Sequence, residues 1–161
     1  MRVAILSDIH DNVWKLEDLL AGLEADTLIF CGDFCAPFTL AQIAEGFEGP
    51  VHVVFGNNDG DQFLLSRVAG RFSHVILHGE FAELTLADRK IAVTHYPEIG
   101  QALAQGNAYD LVCHGHSHER VVEQQGTTLR VNPGEVMGRF GLSTYALYDT
   151  TSGRAEIIRV Q

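Results

Sequence analysis

His116 and His118 stand two residues apart in Leu111-Val112-Cys113-His114-Gly115-His116-Ser117-His118, where an apolar run gives way to glycine and polar side chains. Two imidazoles at that spacing project to one side of an extended chain, and imidazole pairs suit Mn, Fe, Ni or Zn. Alone, the pair is a weak signal, the alternative being a hydrogen-bonded surface loop. The same arrangement recurs elsewhere, however. Asp8 and His10 follow the apolar run 3–6, Asp33 follows 27–31, Asn57 follows 51–55 and His95 follows 90–94. Together these positions offer two carboxylates, four imidazoles and one amide. Turns often carry Asp and Asn because their side chains bond nearby backbone. Turn chemistry alone does not require such residues directly after five apolar runs. A carboxylate shared by two cations holds them ~3.5–4 Å apart, close enough to clamp one phosphoryl group.

The elements that must position these groups alternate at first between strand and helix. An apolar strand over 2–7 leads to a helix capped by Asp11 or Asn12, with Trp14, Leu16, Leu19, Leu20 and Leu23 as its apolar stripe. The run 27–31 is followed by a short helix near 40–44. The strand 51–55 is followed by helical spacing at Phe63, Leu64, Val68 and Ala69. That alternation favours parallel pairing with helices packed on the sheet, and open α/β sheets place ligands at the C-terminal ends of their strands. After residue 70 the rhythm changes. Strands are expected over 74–77, 82–86 and 90–94, a short helix over 99–104, and further strands at 121–122, 128–131, 144–148 and 155–160. These strands outnumber what one small sheet holds comfortably, so the reading is a mixed α/β domain with two facing sheets.

Composition narrows the function classes. The 161 residues are 46% hydrophobic and 20% charged, the balance of one globular domain spanning 1–161, without a disorder signature. The first apolar run is cut by Asp8, which argues against a signal peptide or a membrane span and makes a cytoplasmic location the expectation. Cys31, Cys35 and Cys113 are odd in number and show no pairing pattern; Cys31 and Cys113 read as small core residues. A formal charge of −10 argues against general affinity for nucleic acid. It leaves room for a small phosphorylated molecule, since bound metal reverses the local field.

The order Asp8-x-His10, Gly32-Asp33, Gly56-Asn57-x-Asp59, His95 and Gly115-His116-x-His118 resembles the five blocks of the calcineurin-like metallophosphoesterase superfamily. Without an inserted cap domain, the chain is similar to the small bacterial and archaeal phosphodiesterase branch. The resemblance runs from residue 2 to about 134 and includes the Asn132-Pro133-Gly134 turn that often follows the last ligand block. It implies an α/β fold, a four-layer α-β-β-α sandwich with two mixed β-sheets. It also implies two divalent ions per chain, one on Asp8, His10 and His118, the other on Asn57, His95 and His116, with Asp33 bridging. Mn is the expected metal, with Fe, Ni and Zn as alternatives for this nitrogen-and-oxygen set. The implied reaction is hydrolysis of a small phosphodiester, a nucleotide being one candidate, by a hydroxide that the two metals activate for in-line attack. Related small phosphoesterases often associate, so a homodimer is also expected.

Several positions carry separate readings. Asn57 binds metal through its oxygen while its amide nitrogen reaches a phosphate oxygen. Many relatives place a histidine after that asparagine; this chain has Asn58, whose amide cannot deliver a proton but can hydrogen-bond a developing anion. Activated leaving groups therefore fit better than alkyl ones. Asp59 either orients Asn58 or caps the following helix, the cap being preferred. Tyr96 either stacks over a substrate base or roofs the pocket, and Arg139 contacts a phosphate or is a plain surface arginine. His114 reads as structural; His52, His74 and His78 read as hydrogen-bonded histidines at strand boundaries. Phe30, Phe55 and Val93 read as core. The competing function is a protein-interaction scaffold of the same fold, weakly active or inactive; a closed structural metal site is a third reading.

Overall fold

The computed structural model describes residues 1–161. In chain order the elements are β1 (Arg2–Leu6), α1 (Val13–Ala21), β2 (Thr27–Phe30), α2 (Pro37–Gly46), β3 (Val51–Val53), α3 (Gln62–Ala69), β4 (Val75–Leu77), β5 (Phe81–Leu86), β6 (Arg89–Thr94), α4 (Pro97–Gln105), β7 (Leu111–Cys113), β8 (Arg120–Gln125), β9 (Thr128–Pro133), β10 (Thr144–Asp149) and β11 (Arg154–Arg159). They build two mixed sheets, ordered β11-β10-β1-β2-β3-β4 and β5-β6-β7-β9-β8. β1 to β4 pair in parallel, as do β6, β7 and β9; β10, β11, β5 and β8 are the antiparallel additions.

Strand periodicity sorts the apolar residues into layers. Along β1, Ala4 and Leu6 join the core that also holds Leu16, Leu19, Leu40, Ile43 and Leu65 from the three helices on that face. Val3 and Ile5 point the other way, into a second core between the sheets with Leu111, Cys113 and Val131. α4 covers the outer face of the second sheet, where Ala104 meets Ala92 and Val112. The result is the expected four-layer α-β-β-α sandwich. No helix is long and apolar enough to cross a membrane.

Helix α1 is capped by Asn12, whose side chain accepts from Lys15 N at 3.2 Å. Asp11 serves a different helix: its Oδ1 accepts from Ala36 N at 2.9 Å and Thr39 Oγ1 at 2.6 Å at the start of α2. Two apolar stripes differ from expectation. Trp14 is 74% exposed, as are Phe63 (75%) and Leu64 (43%), whereas Leu65 is fully buried. Trp14 and Phe63 each stand two positions before a buried leucine, Leu16 and Leu65, which is about 200° around the helix, so both face away from the buried side. The expected Asn132-Pro133-Gly134 turn is in part strand, since β9 continues through Pro133.

His114 is buried against α4, where Gly100 lets the helix come so close that an added Cβ would meet the imidazole at 2.8 Å. Burial, with Arg130 beside it, holds its pKa at about 4. In the unfolded chain an ordinary histidine takes up its proton near 6.5. Between those values the unfolded state binds the extra proton, so His114 lowers stability as pH falls from 6.5 toward 4. We expect wild type to lose on the order of 2–3 kcal/mol more over that range than His114→Gln. Urea unfolding of the chelated proteins at pH 7 and pH 4.5 reads the difference; parallel losses would contradict it.

Candidate metal centre

The loops after β1, β2, β3, β6 and β7 all leave the C-terminal ends of their strands and meet at one end of the sandwich. Their backbones are stitched together before any side chain is considered. Asp8 N donates to Gly32 O and His10 N to Asp33 O, each at 3.0 Å, while Gly115 N donates to His95 O at 3.0 Å. Asp8, His10, Asp33, His116 and His118 all adopt positive φ, between 44° and 68°. Asp and His are among the few side chains that tolerate this region. His116 and His118 therefore do not lie on one extended strand face; β7 ends at Cys113, and two left-handed residues send the rings to different partners. Gly56 is required here, because a Cβ there would strike the Asp33 carboxylate.

Two ligand groups result. Asp8, His10 and His118 bring one potential ligand atom each to within 4.8 Å of one another, and Asp33, His95 and His116 form a second such set. Asp33 joins them: its Oδ2 lies 3.6 Å from His10 Nε2 and 3.4 Å from His95 Nε2. Asn57 belongs beside the second set, with Oδ1 3.1 Å from His95 Nε2.

The donor inventory tests whether cations fit. His95 Nδ1 donates to Cys31 O at 2.7 Å, which leaves Nε2 with a lone pair. Around that nitrogen stand Asn57 Oδ1, Asp33 Oδ2 and, at 3.2 Å, His116 Nδ1. Four potential electron-pair donors converge, and with neutral rings the Nδ1–H tautomer of His116 supplies at most one proton among them. In the other set Asp8 Oδ1 and His10 Nε2 are buried without any hydrogen-bond partner. Such orphans are rare because burying a polar atom unpaired costs ~1–3 kcal/mol. The electrostatics agree. The Asp8 carboxylate raises the His10 pKa against burial, and Asp33 raises that of His95, although burial there acts strongly in the other direction. Burial also opposes ionisation of Asp33, yet the His95 imidazole beside it and the two hydrogen bonds from Asn58 hold its carboxyl well below the usual range. The site favours positive charge, and the residues fit two cations.

The remaining predicted residues take definite places. Asn58 donates twice to Asp33, from its backbone N to Oδ1 and from Nδ2 to Oδ2, both at 2.8 Å. Asp59 does not cap α3: Asp61 does, accepting from Leu64 N at 3.0 Å. Nor does Asp59 bond Asn58. Its buried carboxylate accepts from Asp33 N (2.9 Å), Gly56 N (2.7 Å) and Cys35 N (2.7 Å), clamping two ligand loops together. The Tyr96 ring is 5.3 Å from His95 and 5.7 Å from His116. Arg139 is exposed and lies 5.4 Å over the ring of Phe140. Phe140 in turn stands edge-on to His118 at 5.2 Å.

Two contributors were not foreseen. Asn132 donates from Nδ2 to Gly115 O (2.9 Å) and Ser117 Oγ (3.1 Å), holding the turn that carries His116 and His118. Glu135 accepts from His118 Nδ1 at 2.7 Å. Asn132 was visible only as part of a turn, and nothing near Glu135 in sequence marks it. The largest surface groove, lined by Lys15, Met137 and Arg159 among others, contains none of the ligand side chains.

Comparison with known proteins gives a consistent answer. Residues 1–153 match the model of the calcineurin-like phosphoesterase superfamily domain. A phosphodiesterase of Methanocaldococcus jannaschii is 30% identical over 156 residues, covering 93% of each chain. A phosphodiesterase of Escherichia coli K12 is 28% identical over 154 residues, covering 84% of this chain and 79% of the relative. The solved structure of an archaeal phosphodiesterase superposes with a TM-score of 0.89 at 28% identity, covering 99% of both chains.

Proposed function

Because this chain belongs to the calcineurin-like phosphoesterase superfamily, we propose that its two ligand sets form the dinuclear centre of a divalent-metal-dependent phosphodiesterase. The observation that carries this reading is Asp33 Oδ2, within 3.6 Å of a histidine nitrogen from each set. Asp8, His10 and His118 hold one cation, Asn57, His95 and His116 the other, and Asp33 is the shared ligand. Mn suits the nitrogen-and-oxygen donors, with Fe, Ni and Zn as competitors. The chain acts as one domain over 1–161, in the cytoplasm and as a homodimer. Its substrate is a small phosphorylated molecule, a nucleotide being one candidate. Net charge of −10 disfavours nucleic acid as a general ligand.

When bound, the two cations supply a water of lowered pKa and positive charge for the phosphoryl oxygens. The chain supplies everything that fixes their position. His95 is locked by its Nδ1–H bond to Cys31 O, so its Nε2 lone pair faces Asp33. Asn58 holds both oxygens of Asp33, and Asp59 holds the Asp33 backbone. Asn57, bound through Oδ1, keeps an amide N–H for a phosphate oxygen. Tyr96 flanks the His95–His116 side, in place to stack on an aromatic substituent, and Arg139 is free to meet a second anionic group.

Asn58 donates hydrogen bonds but holds no transferable proton, so the departing oxygen receives no general acid from this position. With Mn supplied, an activated aryl phosphodiester should be hydrolysed faster than the matching monoester. Asn58→His should raise kcat/KM for an alkyl leaving group at least ~10-fold more than for an aryl one. The backbone N–H of residue 58 still holds Asp33 Oδ1 in that variant. Equal effects on both leaving groups would remove Asn58 from this role.

The scaffold reading has one observation in its favour: Trp14, Phe38, Phe63 and Phe140 are each more than 60% exposed. Metal-loaded protein with no turnover of any diester or monoester would favour it.

A further inference from the structure

Glu135 is almost completely buried, at 1% exposure, and its two carboxylate oxygens serve different parts of the molecule. Oε2 accepts from His118 Nδ1 at 2.7 Å. Oε1 accepts from Phe140 N at 2.6 Å and Gly141 N at 2.9 Å. Its chain neighbours are anchored to the end of β1: Val136 N donates to Ser7 O and Met137 N to Asp8 O, at 3.1 and 3.0 Å. The loop 138–142 thus closes back on a carboxylate that already grips one ligand, and Phe140 lays its ring against that same histidine. We infer that Glu135 is a positioning residue that couples cation binding at Asp8, His10 and His118 to the order of the loop carrying Arg139 and Phe140.

The physical case has three steps. By accepting from Nδ1–H, Glu135 fixes the His118 tautomer and leaves Nε2 as the lone pair that faces Asp8 Oδ1 at 3.5 Å. A carboxylate behind a ligating imidazole also makes the ring a better electron-pair donor. The histidines of the second set have no such support; His95 is backed by a neutral carbonyl, Cys31 O, so the effect is confined to one of the two sites. Finally, Oε1 makes the loop depend on the same side chain. Coupling of this kind is reciprocal: the factor by which an ordered loop tightens the cation is the factor by which the cation tightens the loop.

Glu135→Gln is the informative change, because an amide has one acceptor oxygen. It can serve His118 or the two loop amides, but its other end presents N–H to a donor. The inference rests on the metal-centre reading above and not on any reaction. The test is a Mn(II) titration of chelated protein followed by metal content, EPR and amide exchange of the loop. Wild type should hold two Mn with an exchange-coupled spectrum, and Mn should slow exchange at Phe140 and Gly141. The variant should bind the ion at Asp8–His10–His118 about 10–100-fold more weakly, leaving a mononuclear spectrum at the same free Mn. Loop exchange should then no longer respond to Mn. A folded variant that keeps two coupled ions and the wild-type exchange response would overturn the inference. If the variant does not fold, wild type decides alone: loop exchange indifferent to Mn rejects the coupling. Wild type that binds no Mn would instead overturn the metal centre itself, and the inference with it.

Discussion

Asp33→Ala is expected to lose both ions and at least ~10³-fold in kcat/KM for an aryl phosphodiester. Asp33 reaches a histidine ring nitrogen in each ligand set. Its Oδ2 is within 3.6 Å of His10 Nε2 and 3.4 Å of His95 Nε2, and alanine leaves nothing in its place. The change also strands the two Asn58 donors that now bond the carboxylate. Metal content measured beside turnover separates this from a purely chemical defect: the variant should fall below one ion per chain. His116→Ala should be milder, since it removes a ligand from one set only. Unchanged turnover in Asp33→Ala would remove the shared ligand from the account.

Removing the metal should be as severe as removing Asp33, and it should lower stability too. Asp8 Oδ1 and His10 Nε2 are buried without a hydrogen-bond partner, and the carboxylates of Asp8 and Asp33 both face the His10 imidazole in a confined space. Cations bound to the folded state alone stabilise it by about 4 kcal/mol at a free concentration 1,000-fold above Kd. Chelation should therefore abolish hydrolysis and lower Tm, and added Mn should restore both together. A melting temperature indifferent to chelator and Mn would contradict binding at these buried groups.

The ligand groups were legible because each follows an apolar run, and strands buried on both faces read as continuous apolar stretches. Asp8, Asp33 and His95 could be placed at strand ends without knowing how the strands pair. Their sharing out was less visible. His116 and His118 look like neighbours on one face until their positive φ values divide them between the two sets. The sequence offers Asp59 as the α3 cap, but Asp61 takes that place and Asp59 turns inward onto three backbone amides. Trp14 and Phe63 fit an apolar stripe by type, but helical phase sets them opposite the buried Leu16 and Leu65. Glu135 was hidden for a different reason. Its partners are His118, seventeen residues earlier, and a loop whose path the sequence does not constrain.

The most direct measurement is anomalous scattering from crystals grown with Mn and collected at its absorption edge. The account predicts two peaks per chain, about 3.5–4 Å apart, with Asp33 between them. One should lie among Asp8, His10 and His118, the other among Asn57, His95 and His116. A fully loaded crystal with a single peak, or with His95 and His116 remote from any metal, would contradict the dinuclear centre.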